Sequence, residues 1–175
     1  MGNPIGNLAL FTRILSYRWF YLVVFATVML DRMTKWIIQL TLPFGSYEKL
    51  NMIEVIPGFF YLCHIGNTGA AWGIFPGRSF ALAVFAISAL GFIFVFRRAL
   101  GLRNLNFQIS WGILTGGIIG NLIDRLALGH VVDFIDLHLG FYRWPAFNIA
   151  DMAILTGVCI FTLSSIRNTS TGTEP

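Results

Sequence analysis

The sequence has few charged residues and few cysteines. Asp, Glu, Lys and Arg make up 11% of the 175 residues and hydrophobic residues 56%, whereas soluble domains carry about 25% charged residues. Together with a mean hydropathy of +0.72, this indicates that lipid rather than water surrounds most of the chain. The two cysteines, Cys63 and Cys159, form no CxxC pair, and we interpret them as small apolar side chains.

Motifs that would assign the chain to other function classes are also absent. There is no GxSxG motif of a serine hydrolase and no HExxH or HxxEH zinc motif. The segment HVVDFIDLH (130–138) contains potential metal ligands, but their spacing matches no standard zinc site. We therefore expect no metal and no cofactor. The net charge of +4 is not concentrated in a basic run, so we expect no nucleic-acid partner.

The sequence does contain four apolar segments of about 20 residues, the length that a helix needs to cross a bilayer. The predicted spans are residues 19–42, 79–96, 107–125 and 146–166. Arginines flank these spans on one side, which the positive-inside rule makes the cytoplasmic side. They are Arg13 and Arg18 before the first span, Arg97, Arg98 and Arg103 between the second and third, and Arg167 after the fourth. Both termini are therefore predicted to be cytoplasmic.

These spans predict an all-α, multi-pass membrane protein. We expect one membrane-embedded domain over residues 1–168 and a polar C-terminal tail over residues 169–175. The segment DRMTKW, which follows the apolar start of the first span, has no small-x-small cleavage site. We therefore expect the first helix to be retained rather than removed as a signal peptide.

The two outer loops, residues 43–78 and 126–145, differ in pattern. In the first, LNMIEVI and FFYLCHIG flank Pro57-Gly58, which is typical of two short strands joined by a turn. The shorter second loop carries the aromatic residues Phe141, Tyr142 and Trp144, which suit a membrane interface. We thus expect a small β structure in the first loop and membrane contact in the second.

Three aspartates, Asp31, Asp124 and Asp151, lie within predicted spans. A charged group there costs several kcal/mol, usually faces the interior of the bundle and often has a function. Asp124 and Asp151 lie at similar depth near the outer ends of consecutive antiparallel helices, so we predict that they meet. The segments NLID (121–124) and NIAD (148–151) each place an Asn and an Asp three residues apart, on one face of a helix.

Structural interpretations of these residues remain open. Asn148 fits a helix N-cap, with Asp151 in the first turn, and Arg125 could compensate Asp124 in a salt bridge. Alternatively, two close carboxylates share one proton and form a general base and a general acid, as in aspartic proteases. In that case we expect Asp151 to be the base and Asp124 the acid, with the pair titrating as a unit.

Two other features favour structural roles. Asp31, Arg32 and Lys35 form a charged cluster that could hold the first helix against the bundle. Gly112, Gly116 and Gly120 form a stripe of small residues typical of close helix packing.

A small proton-coupled transporter with buried aspartates is the leading alternative function, and a structural membrane-assembly protein is a third. A transporter would favour acids at mid-depth and an internal repeat. Here the acids cluster at one surface, and the repeated segment is only four residues long.

Five motifs resemble conserved blocks of the lipoprotein signal peptidase (signal peptidase II) family, in the same order. They are LDRMTK (30–35), NTGAAWG (67–73), GGIIGNLIDR (116–125), GHVVDFID (129–136) and FNIADMAI (147–154). The resemblance implies an aspartic endopeptidase of the bacterial cytoplasmic (inner) membrane. It implies four transmembrane helices, an extracytoplasmic β-cradle and an active site at the extracytoplasmic face. Such an enzyme removes the signal peptide of a prolipoprotein, cutting before a cysteine that carries diacylglycerol.

Matched motif by motif, the resemblance assigns the catalytic dyad to Asp124 and Asp151. It further implies supporting or substrate-binding roles for Asp31, Lys35, Asn67, Asn121, Arg125, Asp133, Asn148 and Ala150. The expected partners are diacylglyceryl-prolipoproteins and membrane lipids, and we expect a monomer without a metal.

Overall fold

The structure, a computed structural model, describes residues 16–47, 51–70, 73–102 and 104–170. Its helices are α1 (Arg18–Thr41), α2 (Ser79–Phe96), α3 (Leu105–Leu128) and α4 (Ile149–Ser170). Each helix coincides with one predicted span to within a few residues. Residues 171–175 of the predicted tail lie outside the described residues, as do Arg13 and Arg103, while residues 169 and 170 belong to α4.

The helices bury polar residues and expose apolar ones. Helix α1 buries Asp31 and Lys35 completely, whereas Phe25 and Leu40 on its outer face are 66% and 70% exposed. This distribution is the reverse of that in a soluble protein and is typical of helices in lipid. Two helical segments, Ser79–Phe96 and Ile149–Arg167, are long and apolar enough to cross a membrane by length and composition alone.

A four-stranded antiparallel sheet lies at one end of the helices, with the strand order β1-β2-β3-β4. Its strands are β1 (Ile53–Ile56), β2 (Phe60–Asn67), β3 (Val131–Leu139) and β4 (Tyr142–Phe147). The two strands predicted in the first outer loop are confirmed, and Gly58 in the turn between them has a φ of 71°. The sheet is joined to the helices chiefly through β3, which follows α3 after Gly129.

The prediction of an all-α protein was incomplete, because the second outer loop forms β3 and β4. Residues 131–134 of β3 are all buried, because this part of the strand packs against the helices, as Phe134 does against Ile38 and Leu42. A central strand buried on both faces lacks the alternation of apolar and polar residues that marks a half-exposed strand.

The glycine stripe of α3 lies where neighbouring helices come closest, as predicted. A Cβ on Gly116 would lie 2.6 Å from Cβ of Thr27 on α1. A Cβ on Gly120 would lie 2.5 Å from Oδ2 of Asp31. These contacts leave no room for a side chain, so small residues here bring the charged residues of α1 into the bundle.

Substitution of Gly117 tests this close packing. A Cβ at this position would lie 2.5 Å from the carbonyl oxygen of Ala150, so we expect Gly117→Ala to push α3 and α4 apart and destabilise the protein by about 1–3 kcal/mol. The matched control is Gly91→Ala in α2, where a Cβ meets nothing within 4 Å. Thermal unfolding in detergent should show a lower midpoint for Gly117→Ala only, and equal midpoints would contradict the packing argument.

Candidate active site

A buried charged cluster joins α1 to α3. Nζ of Lys35 lies 3.0 Å from Oδ2 of Asp31 and 2.7 Å from Oδ2 of Asp124. Nη2 of Arg32 lies 2.6 Å from Oδ1 of Asp124. Two carboxylates thus face two cations, and the charges within this cluster cancel. The interpretation of Asp31, Arg32 and Lys35 as an ion-pair cluster is confirmed, with Asp124 as a further member.

Asp124 therefore has a different environment from the one predicted. Helix α3 continues to Leu128 and ends with Gly129 in the left-handed conformation, φ 76°, so Asp124 precedes the last turn. Its Oδ2 also accepts a hydrogen bond of 3.2 Å from the backbone N–H of Val132. Its cationic partners are Arg32 and Lys35, and not Arg125, which the sequence left open as a possible salt-bridge partner.

Asp133, on β3, is held by two asparagine side chains. Nδ2 of Asn148 donates to Oδ1 of Asp133 at 2.6 Å, and Nδ2 of Asn67 donates to Oδ2 at 3.0 Å. The side-chain oxygen of Asn67 accepts from the N–H of Gly69 at 2.8 Å, which fixes the direction of its amide. The Asp133 carboxyl is thus buried among neutral donors and has no cation in direct contact among the described residues.

Asp151 and Asn148 form a reciprocal cap at the start of α4. The N–H of Asp151 donates to Oδ1 of Asn148 at 2.9 Å, and the N–H of Asn148 donates to Oδ2 of Asp151 at 3.3 Å. This confirms the predicted N-cap. Oδ1 of Asp151 accepts from Nδ2 of Asn121 at 2.8 Å. Asp151 is only half-buried, so the cap fixes its position without closing it off.

Asp133 and Asp124 differ in the polar contacts that connect their carboxyl groups to Asp151. Asn148 contacts both Asp133 and Asp151, so a single residue links these carboxyls. From Asp124 the chain of polar contacts passes first through Lys35 and then through Asn121, whose Oδ1 accepts from Nζ of Lys35 at 3.1 Å. Asp133 is therefore more directly coupled to Asp151 than Asp124 is.

The electrostatic surroundings of Asp133 suit proton transfer near neutral pH. Burial raises the pKa of Asp133 to about 7, and the negative charge of Asp151 contributes to the rise. Hydrogen bonds from Asn67 and Asn148 oppose the shift only in part. A carboxyl that is protonated for part of the time near neutral pH, beside a second carboxyl, suits paired acid and base catalysis.

Arg125 and Ala150 support the site from either side. Nη2 of Arg125 donates to the carbonyl oxygen of Gly69 at 3.1 Å, which ties α3 to the loop after β2. Its charge acts on Asp151 and Asp133. The N–H of the fully buried Ala150 donates to Oδ1 of Asp31 at 3.0 Å, and this bond connects the start of α4 to the charged cluster.

A cavity of about 330 Å³ opens beside these residues, and its lining includes Asp133, Asn67 and Tyr47. Much of the remaining wall consists of residues with small side chains or none, namely Gly66, Gly69, Gly73, Pro145 and Ala146. A peptide segment in extended conformation could reach Asp133 through such an opening. Among the described residues, no group of three or more potential ligands forms a metal site.

Comparison with known proteins identifies the family. A family profile described as "Signal peptidase (SPase) II" matches residues 23–167. The chain belongs to the signal peptidase II family. Membership indicates a peptidase, and the matched range contains the charged cluster, the sheet and the aspartates Asp31, Asp124, Asp133 and Asp151.

Relatives in the signal peptidase II family cover most of the chain. The lipoprotein signal peptidase of Listeria monocytogenes serotype 4a (strain HCC23) is 37% identical over 142 residues, covering 81% of this chain and 89% of the relative. That of Desulforapulum autotrophicum is 41% identical over 148 residues, covering 81% and 87%. A solved structure described as a bacterial membrane enzyme has a TM-score of 0.76 at 35% identity and covers 88% of this chain and 91% of its own.

The predicted supporting residues of this signal peptidase II family member gather around two centres. Asp31 and Lys35 lie with Asp124 in the charged cluster, and Asn121 lies between that cluster and Asp151. The second centre is the carboxyl of Asp133, which accepts hydrogen bonds from Asn67 and Asn148. The motifs did not single out Arg32 as a supporting residue, although its spacing from Asp31 and Lys35 indicated membership of the cluster.

Proposed function

We propose that the chain is an aspartic endopeptidase that removes the signal peptide from diacylglyceryl-modified prolipoproteins, cutting before the lipidated cysteine. Family membership supports the peptidase activity, and the name of the relatives supports this class of substrate. The alternative of a proton-coupled transporter is not retained, because the family is one of peptidases.

The dyad that we propose is Asp133 with Asp151, in place of Asp124 with Asp151. The observation that carries this assignment is the shared contact with Asn148, together with the position of Asp133 in the cavity wall. Charge balance supports it as well. Two cations already compensate Asp124 and Asp31. Among the described residues Asp133 and Asp151 form no ion pair, although Arg125 acts on both carboxyls from a distance, as does Lys35, which is already paired with Asp31 and Asp124. One proton shared by Asp133 and Asp151 would leave a single negative charge on the dyad, which the charge of Arg125 balances.

In this mechanism Asp151 is the base and Asp133 the acid. The Asp151 carboxylate takes a proton from water, and the water oxygen bonds to the scissile carbonyl carbon. The proton of Asp133 goes to the carbonyl oxygen, which becomes the hydroxyl of a tetrahedral intermediate. When the C–N bond breaks, the proton held by Asp151 goes to the leaving nitrogen of the lipidated cysteine, and the hydroxyl proton returns to Asp133.

The pKa of Asp133 predicts the pH dependence of cleavage. Because the acid must carry a proton and the pKa of Asp133 in the substrate-free protein is raised to about 7 by burial and by Asp151, kcat/KM should fall as the pH rises through about 7. Far above that pH the fall should approach tenfold per pH unit. The measurement is kcat/KM between about pH 5 and pH 9, because this ratio follows the protonation of the free enzyme. A constant kcat/KM from about pH 6 to pH 8.5 would contradict the role of Asp133.

We further propose that all four helices cross the bacterial cytoplasmic membrane, with both termini cytoplasmic and the protein monomeric. The apolar outer faces of the helices support this. Arg97 and Arg98 follow α2 at one end of the bundle, while the sheet and the acids lie at the other end. The active site is then at the extracytoplasmic face, at the depth where a diacylated cysteine meets the membrane surface.

Cleavage of defined precursors tests the proposal. Purified protein in detergent should release the signal peptide from a diacylglyceryl-modified prolipoprotein and should leave the same precursor without the lipid largely uncut. Mass spectrometry of the product should place its new N-terminus at the modified cysteine. Asp151→Asn, prepared in parallel, should be inactive. Equal cleavage of both precursors, or full activity of Asp151→Asn, would refute the proposal.

A further inference from the structure

Tyr47 lies in the wall of the same cavity as Asp133 and Asn67. The charges that act on its phenol are those of Arg143 and Asp136 and, more weakly, that of Asp133. Among the described residues, none forms a hydrogen bond with its hydroxyl group. The mechanism described above assigns it no role, although its phenol can donate a hydrogen bond and the residue lines the same cavity as Asp133.

A stacked arginine fixes the position of Tyr47. The guanidinium carbon of Arg143 on β4 lies 3.6 Å from the centroid of the Tyr47 ring, a cation–π contact. Nη2 of Arg143 also donates to the carbonyl oxygen of Tyr47 at 3.1 Å. The ring and the backbone of Tyr47 are thus both held by one side chain.

Arg143 is in turn held by the buried Asp136 on β3. Nε of Arg143 donates to Oδ1 of Asp136 at 2.9 Å, and Nη2 donates to Oδ2 at 2.5 Å. This two-point contact fixes the plane of the guanidinium group, which a lysine could not do. Nε2 of His138 lies 3.0 Å from Oδ2 of Asp136 and adds a third contact to the carboxylate. The completely buried Asp136 therefore anchors a chain of contacts that ends at the cavity.

We propose that the Tyr47 hydroxyl donates a hydrogen bond to the carbonyl oxygen of the scissile peptide, and that Asp136 and Arg143 are positioning residues that hold Tyr47 for this contact. The inference rests on the proposed function and adds a catalytic residue to it. The substrate group that Tyr47 recognises is a peptide carbonyl, which every prolipoprotein presents regardless of its side chains.

The chemistry of a phenol suits this contact. Burial raises the pKa of Tyr47 above its ordinary value, so the hydroxyl keeps its proton at neutral pH and remains a donor. Negative charge develops on the carbonyl oxygen as water attacks, and a donor already in place stabilises that charge more than it stabilises the bound substrate. Its loss should therefore appear in kcat rather than in KM.

Steady-state cleavage of diacylglyceryl-prolipoprotein by Tyr47→Phe tests the contact. This variant keeps the ring and its stack on Arg143 and loses only the hydroxyl. We expect kcat to fall about tenfold or more with KM nearly unchanged. Arg143→Lys, which keeps the charge but loses the two-point contact, should lower kcat to a similar extent. The double variant should be little worse than either single variant, because both remove the same contact.

The matched control is Tyr61→Phe. Its hydroxyl donates to Glu54 at 2.8 Å in the same sheet and is not part of the cavity wall, so kcat should stay within twofold of the unsubstituted protein. An unchanged kcat for Tyr47→Phe, a change in KM alone, or additive losses in the double variant would overturn the inference. An Asp133→Asn arm separates the two claims. Its full activity would refute the proposed dyad, whereas its inactivity beside a fully active Tyr47→Phe would refute the Tyr47 contact alone.

Discussion

Replacement of Asp133 by Asn is expected to lower the rate of prolipoprotein cleavage by about 10³-fold or more. The amide has nearly the same shape as the carboxyl and can keep contacts with Asn67 and Asn148 after their amides reorient, but it has no proton to give to the scissile carbonyl. The rate should be measured in a single turnover with the diacylglyceryl-modified precursor, so that product release does not limit it.

The stability of Asp133→Asn distinguishes a catalytic loss from a folding defect. Burial and Asp151 raise the pKa of Asp133 to about 7, so the folded protein binds this proton more tightly than the unfolded chain does. The resulting stability is fully present below the ordinary pKa of aspartate and is lost as the pH rises through about 7. At about pH 8 the variant, which has no ionised carboxylate at position 133, should unfold at the same temperature as the unsubstituted protein or higher. A much lower unfolding temperature would contradict this account of Asp133.

Lys35→Met is expected to destabilise the protein by about 3–5 kcal/mol, because it leaves buried carboxylates without their cation. Nζ of Lys35 lies within 3.0 Å of both Asp31 and Asp124, and Arg32 alone cannot compensate both. Thermal unfolding in detergent at a fixed heating rate should show the loss. Arg78→Met, which removes an exposed cation, serves as the control and should change little.

A second substitution tests the origin of that effect. In Lys35→Met with Asp124→Asn, one unpaired negative charge is removed, and Asp31 keeps Arg32, whose Nε lies 3.7 Å from its Oδ2. The double variant should therefore recover part of the stability that Lys35→Met loses. Two results would contradict charge compensation as the source of the cluster's stability. One is a Lys35→Met variant as stable as the unsubstituted protein. The other is a second loss of stability, as large as the first, when Asp124→Asn is added.

The helices could be predicted from sequence because long apolar runs are a strong signal that depends on no distant partner. The hairpin of β1 and β2 had a similar local signal in its alternation and in Pro57-Gly58. Strands β3 and β4 had none, since the pairing of β3 with β2, and of β4 with β3, depends on how the chain continues after α3. That continuation is set by Gly129, whose left-handed φ of 76° lets the chain reverse at the end of the helix.

The same reversal limited what could be predicted about the site. Depth along the helix axes placed Asp124 and Asp151 at one level, and this comparison left out acids outside the helices. After Gly129 the chain turns back, so that the N–H of Val132 meets Asp124 and Asp133 reaches Asn148. The motifs supplied the residues that we assign to the site, but only the tertiary structure shows that Asp133 shares Asn148 with Asp151.

The cleavage rate of Asp124→Asn per mole of folded protein, measured beside Asp133→Asn, tests the central assignment most directly. The fraction of folded protein should be determined for each variant before the assay, because Asp124 compensates buried cations. We predict that folded Asp124→Asn cleaves the diacylglyceryl-modified precursor at a readily measured rate, while folded Asp133→Asn does not. Cleavage by Asp133→Asn, with fully folded Asp124→Asn inactive, would contradict the assignment of Asp133 and Asp151 as the dyad.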